Sequence, residues 1–226
     1  MFAPEGLPFL VVPAVLLFLF ALMAVIWKKK IYFVFSGVAL LFWIAMLVFF
    51  RDPVRVLPEP DKIVSPSDGK VVAVEMLPDG STRIAIFLSL VNVHAIRSPV
   101  EGVVSGYRFV PGAFLRADNP EASIRNQYAK LDIRTKHGTI KLKAISGAVA
   151  RRVLLHPRKG AELLPGQRIG FIRFGSRCEI LLPHTLHAEV EVGDVVFGGV
   201  SVLAIPYMMD EWLAPDTPEG MEGEGA

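Results

Sequence analysis

The chain has 226 residues, of which 52% are hydrophobic, and its 24 Lys and Arg against 22 Asp and Glu give a formal net charge of +2 at pH 7. This balance lacks the basic excess typical of nucleic-acid-binding domains, so we expect no nucleic-acid partner. A single cysteine excludes an intramolecular disulfide. The histidines show no metal-ligand spacing, so we also expect no metal.

The first fifty residues contain two uncharged apolar runs, from Gly6 to Trp27 and from Ile31 to Phe50. Each run is about 20 residues long, enough to cross a bilayer core of about 30 Å as a helix. We therefore predict a membrane helical hairpin over residues 1–50, either spanning or re-entrant. A secretory signal peptide is disfavoured, because the leading MFAPEG has no basic residue and a second apolar run follows. Two buried core helices are the alternative.

Basic residues flank the hairpin at both ends. Lys28–Lys30 in the turn favour a cytoplasmic turn, whereas Arg51, Arg55, Lys62 and Lys70 after the second run favour the opposite orientation. The charge count alone does not assign an orientation. Lys28–Lys30, Arg51 and Arg55 are expected at the level of anionic lipid headgroups.

The chain changes character at Arg51-Asp52-Pro53, where proline ends the second helix. Residues 51–212 are predicted to form one β-rich domain, and residues 213–226, rich in Gly and Glu, a disordered tail. The β prediction rests on alternating apolar runs at Val71–Val74, Arg83–Ile96, Leu131–Thr135 and Thr139–Ile145.

Two pairs of turn sequences repeat within this domain. Ser65–Val71 resembles Ser98–Val104, since both read Ser-Pro, any residue, an acid and Gly before a strand, and Leu164–Gly170 resembles Val192–Gly198. Paired turns of this kind predict a two-fold β-sandwich or flattened barrel, and they are similar to the hammerhead turns of biotinyl and lipoyl domains. The expected fold is therefore mainly β, with an N-terminal hydrophobic helical hairpin.

A Gly-Ser step interrupts the apolar stretch from Arg173 to Pro183. Glycine within a strand usually marks a bulge, which is one interpretation. The other is autocatalytic: the Ser176 hydroxyl attacks the unshielded Gly175 carbonyl and converts the amide into an ester. Elimination then releases Gly175 as a new C-terminus and leaves dehydroalanine at position 176, which water converts to a pyruvoyl group and ammonia.

His94 and Asp68 are the candidate groups for moving protons. His94 ends the alternating run Arg83–Ile96, which would place it, partly buried, on the face opposite Ala85 and Phe87. Both residues also have structural interpretations, since a buried His often only packs in a core and an Asp before Gly often only hydrogen-bonds its own turn. Cys178, two residues beyond Ser176, is expected to fill the core.

Taken together, these features resemble the phosphatidylserine decarboxylases in their short, membrane-hairpin form from prokaryotes. The resemblance rests on five stretches and extends to about Leu203: FFRDPVRVLP (49–58), VSPSDGKVVAV (64–74), LVNVHAIRSPVEG (90–102), ISGAVARRV (145–153) and GQRIGFIRFGSRCEILLP (166–183). In this setting the Gly-Ser step favours autocatalysis over a bulge.

The resemblance implies specific roles. Ser176 becomes a covalent pyruvoyl group, the sole cofactor, and cleavage between Gly175 and Ser176 yields a β chain (1–175) and an α chain (176–226) that form a heterodimer. Asp68 and His94 match the family's acid and its first His, and we expect Asp68 to hold His94 in one tautomer. Long-form members carry a second His three residues later, where this chain has Arg97.

The implied reaction is decarboxylation of phosphatidylserine to phosphatidylethanolamine, with the pyruvoyl carbonyl as electron sink. The expected location is the inner membrane, with the catalytic domain on its cytoplasmic face. Arg108 and Arg116, among aromatics around a Pro-Gly turn, and Arg152 are candidates for binding the substrate phosphate or carboxylate.

Other functions remain open at this point. The same chemistry could act on an archaeal-type ether serine lipid. A non-enzymatic membrane adaptor with a lipoyl-like domain would remain uncleaved and would not need Ser176. A serine hydrolase using Asp68, His94 and Ser176 would also remain intact, but the chain lacks the Gly-x-Ser-x-Gly elbow.

Overall fold

The computed structural model describes residues 1–58, 61–116, 119, 121–148, 152–173 and 176–207. A short 3-10 turn, Pro4–Gly6, precedes the helices and strands. These elements are α1 (Leu7–Trp27), α2 (Lys30–Phe49), β1 (Ile63–Val64), β2 (Gly69–Met76), β3 (Thr82–Leu88), β4 (Ala95–Arg97), β5 (Gly102–Val110), α3 (Ala122–Arg125), β6 (Tyr128–Thr135), β7 (Gly138–Ile145), β8 (Val153–Leu155), β9 (Glu162–Leu163), β10 (Arg168–Ile172), β11 (Ser176–Leu182), β12 (Leu186–Ala188), β13 (Val195–Val196) and β14 (Val202–Pro206).

The predicted hairpin is present as α1 and α2, which pack against each other along their lengths. Both helices are long and apolar enough to cross a membrane, and most of their side chains face outward. At 1.5 Å per residue each is about 30 Å long. Because the start of α1 and the end of α2 both lie against the β domain, the Lys28–Lys30 turn is about 30 Å from that domain.

The β domain is built around an eight-stranded sheet in the order β13-β2-β3-β11-β7-β6-β5-β9, in which every pair is antiparallel. Two three-stranded sheets, β1-β14-β12 and β4-β10-β8, complete the domain. Alternate residues of the long strands are fully buried in one apolar core that includes Ile86, Leu142 and Ile180. The mainly β expectation is confirmed.

The repeated turn sequences are related by an approximate two-fold axis. Val64 N donates a hydrogen bond to Pro99 O (2.9 Å), and Arg97 N donates the reciprocal bond to Pro66 O (2.8 Å). Each bond joins the same two positions of the repeat, with the donor in one Ser-Pro segment and the acceptor in the other. The sequence repeat is therefore also a structural repeat.

The glycine-rich stretches lie against the two Ser-Pro turns. Gly166 N donates to Ser98 O (2.8 Å), and Gly199 N, one residue beyond Val192–Gly198, donates to Ser65 O (2.7 Å). A close approach explains the glycine of the first turn: a Cβ at Gly69 would lie 2.3 Å from the Phe87 carbonyl oxygen. Glycine at this position lets β2 run directly against β3.

One predicted strand is interrupted. The run Arg83–Ile96 was expected to be continuous, but β3 ends at Leu88 and β4 begins only at Ala95. The amide and hydroxyl of Ser89 both donate to Asn92 Oδ1, at 2.9 and 2.6 Å, and this local turn competes with the ladder. The predicted continuous strand is therefore wrong, and strand alternation no longer assigns His94 to a face; His94 is also fully buried rather than partly buried.

Of two remaining predictions, one falls outside the described residues and one is confirmed. The tail 213–226 falls among residues that the structure does not describe. Cys178 is fully buried, as expected, and burial raises the pKa of its thiol to about 12.

Candidate active site

Ser176 stands at the edge of an opening in a long antiparallel ribbon. On one side of the opening Ser176 pairs with Leu88, and on the other Ile172 N donates to His94 O (3.0 Å). The chain from Leu88 to His94 therefore leaves this ribbon after Leu88 and rejoins it at His94, and the interruption between the two pairings is the opening. Phe174, Gly175 and the Ser176 side chain lie outside the described part of the structure.

β11, which begins at Ser176, lies in the interior of the large sheet. It pairs with β3 from Ser176↔Leu88 to Leu182↔Thr82, and with β7 from Arg177↔Ile145 to Leu181↔Lys141. Two complete ladders thus hold the segment that follows the predicted cleavage position. The other predicted cleavage residue, Gly175, is not described.

His94 lies at the other end of this opening and is fully buried. Its Nδ1 is 2.8 Å from Asn92 O. A carbonyl oxygen only accepts hydrogen bonds, so Nδ1 carries the proton and Nε2 carries the lone pair of the neutral ring. Burial lowers the pKa of His94 to about 4, with Arg51 contributing in the same direction and the Asn92 carbonyl opposing it. His94 is therefore neutral at pH 7.

The end of α2 covers the His94 ring. Phe49 is 4% exposed, and its ring centroid is 4.3 Å from that of His94. Phe50 stacks on Phe171 of β10 at 5.4 Å. With neighbouring apolar side chains, these rings form a second core that joins the hairpin to the β domain. The hairpin is thus one wall of the site that holds His94.

Asp68 is 5% exposed and makes its described hydrogen bonds elsewhere. Its two carboxylate oxygens accept bonds from Arg55 Nη2 at 3.0 and 2.9 Å, and Oδ1 also accepts one from Gly198 N at 2.8 Å. The expectation that Asp68 holds the tautomer of His94 is corrected, because the Asn92 carbonyl makes the contact to Nδ1. A role for Asp68 in the chemistry stays a prediction.

Arg97, at the position where the resemblance implies a second His in long-form members, links the β domain to the end of the hairpin. Its guanidinium pairs with Asp52 and also donates to Pro53 O at 3.1 Å. Asp52 additionally pairs with Arg168 at 3.0 Å, and Arg168 pairs with Glu5 at the start of the hairpin. These ion pairs fasten both ends of the hairpin to the β domain beside the site.

The three candidate substrate arginines lie at different distances from Ser176. Arg152 is exposed, and its carbonyl accepts a bond from Arg173 N at 3.2 Å, three residues before Ser176. Arg108 is exposed on β5, which is three strands away from β11. Arg116 is exposed beyond the end of β5. The structure places the backbone of Arg152 beside Arg173 and leaves β5, which carries Arg108, about 14 Å from β11, at about 4.8 Å per strand.

Sequence reasoning missed three residues that shape the site: Asn92, Phe49 and Arg55. Arg55 was expected at lipid headgroups, but its side chain is 16% exposed and is paired with Asp68. All three lie within the stretches that carry the family resemblance, and this location was the signal that could have identified them. Their contacts with Asp68 and His94 were not readable, because each depends on packing between separate elements.

The buried His94 predicts a pH-dependent stability. Its pKa is near 6.5 in the unfolded chain and about 4 in the folded one, so between these values the unfolded state binds a proton that the folded state does not. Stability is therefore complete above pH 6.5 and declines as the pH falls toward 4, by about 3 kcal/mol.

This loss is measured by unfolding in detergent micelles, with the uncleaved Ser176→Ala chain as reference. We expect Ser176→Ala/His94→Gln to lose about 3 kcal/mol less than Ser176→Ala between pH 7 and 4. An equal loss of unfolding free energy in the two chains would show that a group other than His94 causes the loss.

Comparisons with known proteins identify a family. The family model described as phosphatidylserine decarboxylase matches residues 42–204. A phosphatidylserine decarboxylase proenzyme of Burkholderia ambifaria (strain MC40-6) is 39% identical over 212 residues, covering 89% of this chain and 94% of the relative. The proenzyme of Burkholderia lata is 38% identical over the same length, with the same coverage. That of Paraburkholderia phymatum is 38% identical over 213 residues, covering 89% and 95%.

Proposed function

Because this chain belongs to the phosphatidylserine decarboxylase family, we infer that it converts phosphatidylserine to phosphatidylethanolamine. The observation that carries this inference is the match, over 89% of this chain, to proteins named phosphatidylserine decarboxylase proenzyme. The match gives no support to the membrane adaptor, the serine hydrolase or the ether-lipid variant.

We propose that the proenzyme matures by cleavage between Gly175 and Ser176. The Ser176 hydroxyl attacks the Gly175 carbonyl, and the Ser176 nitrogen leaves as an amine, which gives an ester. Loss of the Ser176 α-proton then expels the Gly175 carboxylate, and one water converts the resulting dehydroalanine to pyruvoyl and ammonia. In support, Ser176 is the first residue of β11 and borders the interruption between the Ser176–Leu88 and Ile172–His94 pairings.

The surroundings fit a pyruvoyl group at position 176. The group would be the N-terminus of a strand held by β3 and β7, with the buried imidazole of His94 on the other side of the opening. A pyruvoyl carbonyl supplies the electron sink for the pair left when the substrate loses carbon dioxide. The protein would hold this end of the α chain rigidly, because Ser176 through Leu182 are paired.

His94 is proposed as the base. In the neutral Nδ1–H tautomer, Nε2 can accept the Ser176 hydroxyl proton and return it to the leaving amine, a contribution of about 10²–10⁴-fold. The hydrogen bond to Asn92 O keeps the ring in that tautomer, and the Phe49 ring keeps water from it. In turnover the same nitrogen would deliver a proton to the product.

We propose that the two chains remain together as a heterodimer after cleavage. β11 would belong to the α chain, while both of its ladder partners, β3 and β7, would belong to the β chain. Since these ladders lie within the buried core, separating the chains would expose it. The phospholipid substrate and the apolar hairpin together favour action at a membrane surface.

The test of the proposed function combines two measurements on the purified full-length protein. Incubation with phosphatidylserine vesicles should release carbon dioxide and produce phosphatidylethanolamine. The intact mass of the denatured protein should show one chain ending at Gly175 and one beginning at position 176, lighter by one ammonia than a free N-terminal serine. An active but uncut chain would overturn the proposed maturation. A cut chain that does not act on phosphatidylserine would overturn the proposed substrate.

We propose a location in the inner membrane with the β domain on the cytoplasmic face, an orientation that rests on the family resemblance. Cysteine labelling can test it, because the sole native cysteine, Cys178, is fully buried and burial raises its pKa to about 12. Lys29→Cys tests the hairpin turn, and Glu101→Cys tests the β domain; both positions are exposed.

We expect an impermeant maleimide to label Lys29→Cys in intact spheroplasts and Glu101→Cys only after the membrane is opened. The reason is that the hairpin is about 30 Å long and both its ends lie at the β domain. If neither position is labelled from outside, the hairpin is re-entrant. Labelling of Glu101→Cys from outside would contradict the proposed face.

A further inference from the structure

The loop Ser89–Val93 connects β3 to the strand that follows His94, and its tip is apolar. Leu90 is 56% exposed and Val91 is 69% exposed. Ser89 and Asn92 close the loop through the hydrogen bonds to Asn92 Oδ1 at 2.9 and 2.6 Å. The loop therefore has a defined shape that presents two apolar side chains outward.

Arg51 fixes this loop beside the end of α2. Its Nη1 donates to Val48 O in the last turn of α2 (2.7 Å), and its Nη2 donates to Val91 O (2.6 Å). One guanidinium thus binds both the end of the membrane helix and the loop tip. The loop tip must lie within a few ångströms of the end of α2.

The end of the loop opposite its exposed tip is buried. Val93 is 3% exposed and packs with Phe49 in the core that joins the hairpin to the β domain, and the next residue is His94. The chain thus passes within four residues from a solvent-exposed apolar tip to the buried imidazole.

We propose that Leu90 and Val91 enter the same bilayer that holds the hairpin, so that the loop forms a membrane-contacting edge directly beside His94. This rests on the proposed function for the identity of the lipid that enters there. The occupant is the bilayer because Arg51 joins the loop tip to Val48 at the end of α2, a helix whose apolar side chains are mostly exposed. Leucine and valine at such a boundary gain free energy by leaving water.

A consequence for the reaction follows. A phospholipid headgroup in the leaflet touching the loop would lie at the entrance to the His94 site without leaving the membrane. The loop would thereby lower the KM for membrane-embedded substrate.

A fluorescence experiment tests the membrane contact without reference to activity. The full chain carrying Val91→Cys is labelled with an environment-sensitive dye and placed in vesicles of phosphatidylcholine and phosphatidylserine. The matched control is Met76→Cys, which is 77% exposed at the opposite end of β2 from Asp68. We expect a lipid-borne nitroxide to quench the dye at position 91 severalfold more strongly than the dye at position 76.

Equal quenching at the two positions would overturn the proposal. A dye at position 91 that is shielded from water but not quenched by the lipid nitroxide would also overturn it, since a second protein copy would then cover the loop. Both outcomes are independent of whether the chain decarboxylates phosphatidylserine, so they cannot be confused with failure of the proposed function.

Kinetics provide the second readout. Leu90→Asp/Val91→Asp should raise the KM on phosphatidylserine vesicles by at least about tenfold, because two apolar contacts are replaced by charges. The change in kcat should be smaller, and Met76→Asp should leave both constants unchanged. A drop in kcat with no change in KM would contradict the proposal.

Discussion

The Ser176→Ala chain is expected to remain a single uncut polypeptide with no decarboxylase activity. Without the hydroxyl there is no nucleophile to convert the Gly175–Ser176 amide into an ester, and no side chain that can become a pyruvoyl group. Alanine keeps the β11 ladders, in which Ser176 pairs with Leu88 through its backbone, so folding should be preserved. The measurement is the intact mass of the denatured protein together with the decarboxylation assay.

The matched control is Ser105→Ala, which removes an exposed serine from β5 whose hydroxyl donates to Asp132 O. It should mature and turn over as the unmodified chain does. Cleavage of Ser176→Ala at the same bond, or residual decarboxylation by the uncut chain, would contradict the assignment of Ser176.

The His94→Ala chain should mature about 10²–10⁴ times more slowly than the unmodified chain, which is the typical contribution of a positioned base. The structural reason is that the tautomer set by Asn92 O leaves the lone pair on Nε2, and the lowered pKa keeps the ring neutral at pH 7. The conversion of precursor to two chains is followed over time after synthesis.

Two further variants serve as controls for the His94→Ala result. His184→Ala removes an exposed histidine after Pro183 and should mature normally. His94→Gln keeps much of the side-chain volume against Phe49, so slow maturation in this variant would not be due to a cavity. Maturation of both His94 variants at the normal rate would rule out His94 as the base.

The hairpin has a larger role than anchoring. Phe49 covers His94, and the ion pairs of Asp52 with Arg97 and Arg168 hold the exit of α2 against β4 and β10. Removing residues 1–50 would therefore uncover His94 as well as release the protein from the membrane.

Much of the architecture was determined by local sequence pattern. Two uncharged runs of about 20 residues predict the hairpin because a bilayer requires that length, and alternation predicts strands because side chains of a strand point to opposite faces. The repeated Ser-Pro turns predicted a two-fold arrangement, because two turns with the same residue types at the same positions adopt the same backbone conformation. The Gly175–Ser176 step, in its family setting, identified the candidate site of chemistry.

Only the tertiary structure decided how the site is completed. The end of β3 at Leu88 depends on a side-chain hydrogen bond that a hydrophobic pattern does not register. The contacts of His94 with Phe49 and of Asp68 with Arg55 join separate elements of the chain. Such pairings are set by how the hairpin and the sheets pack, because burial and hydrogen bonding are properties of the assembled fold and not of any single segment.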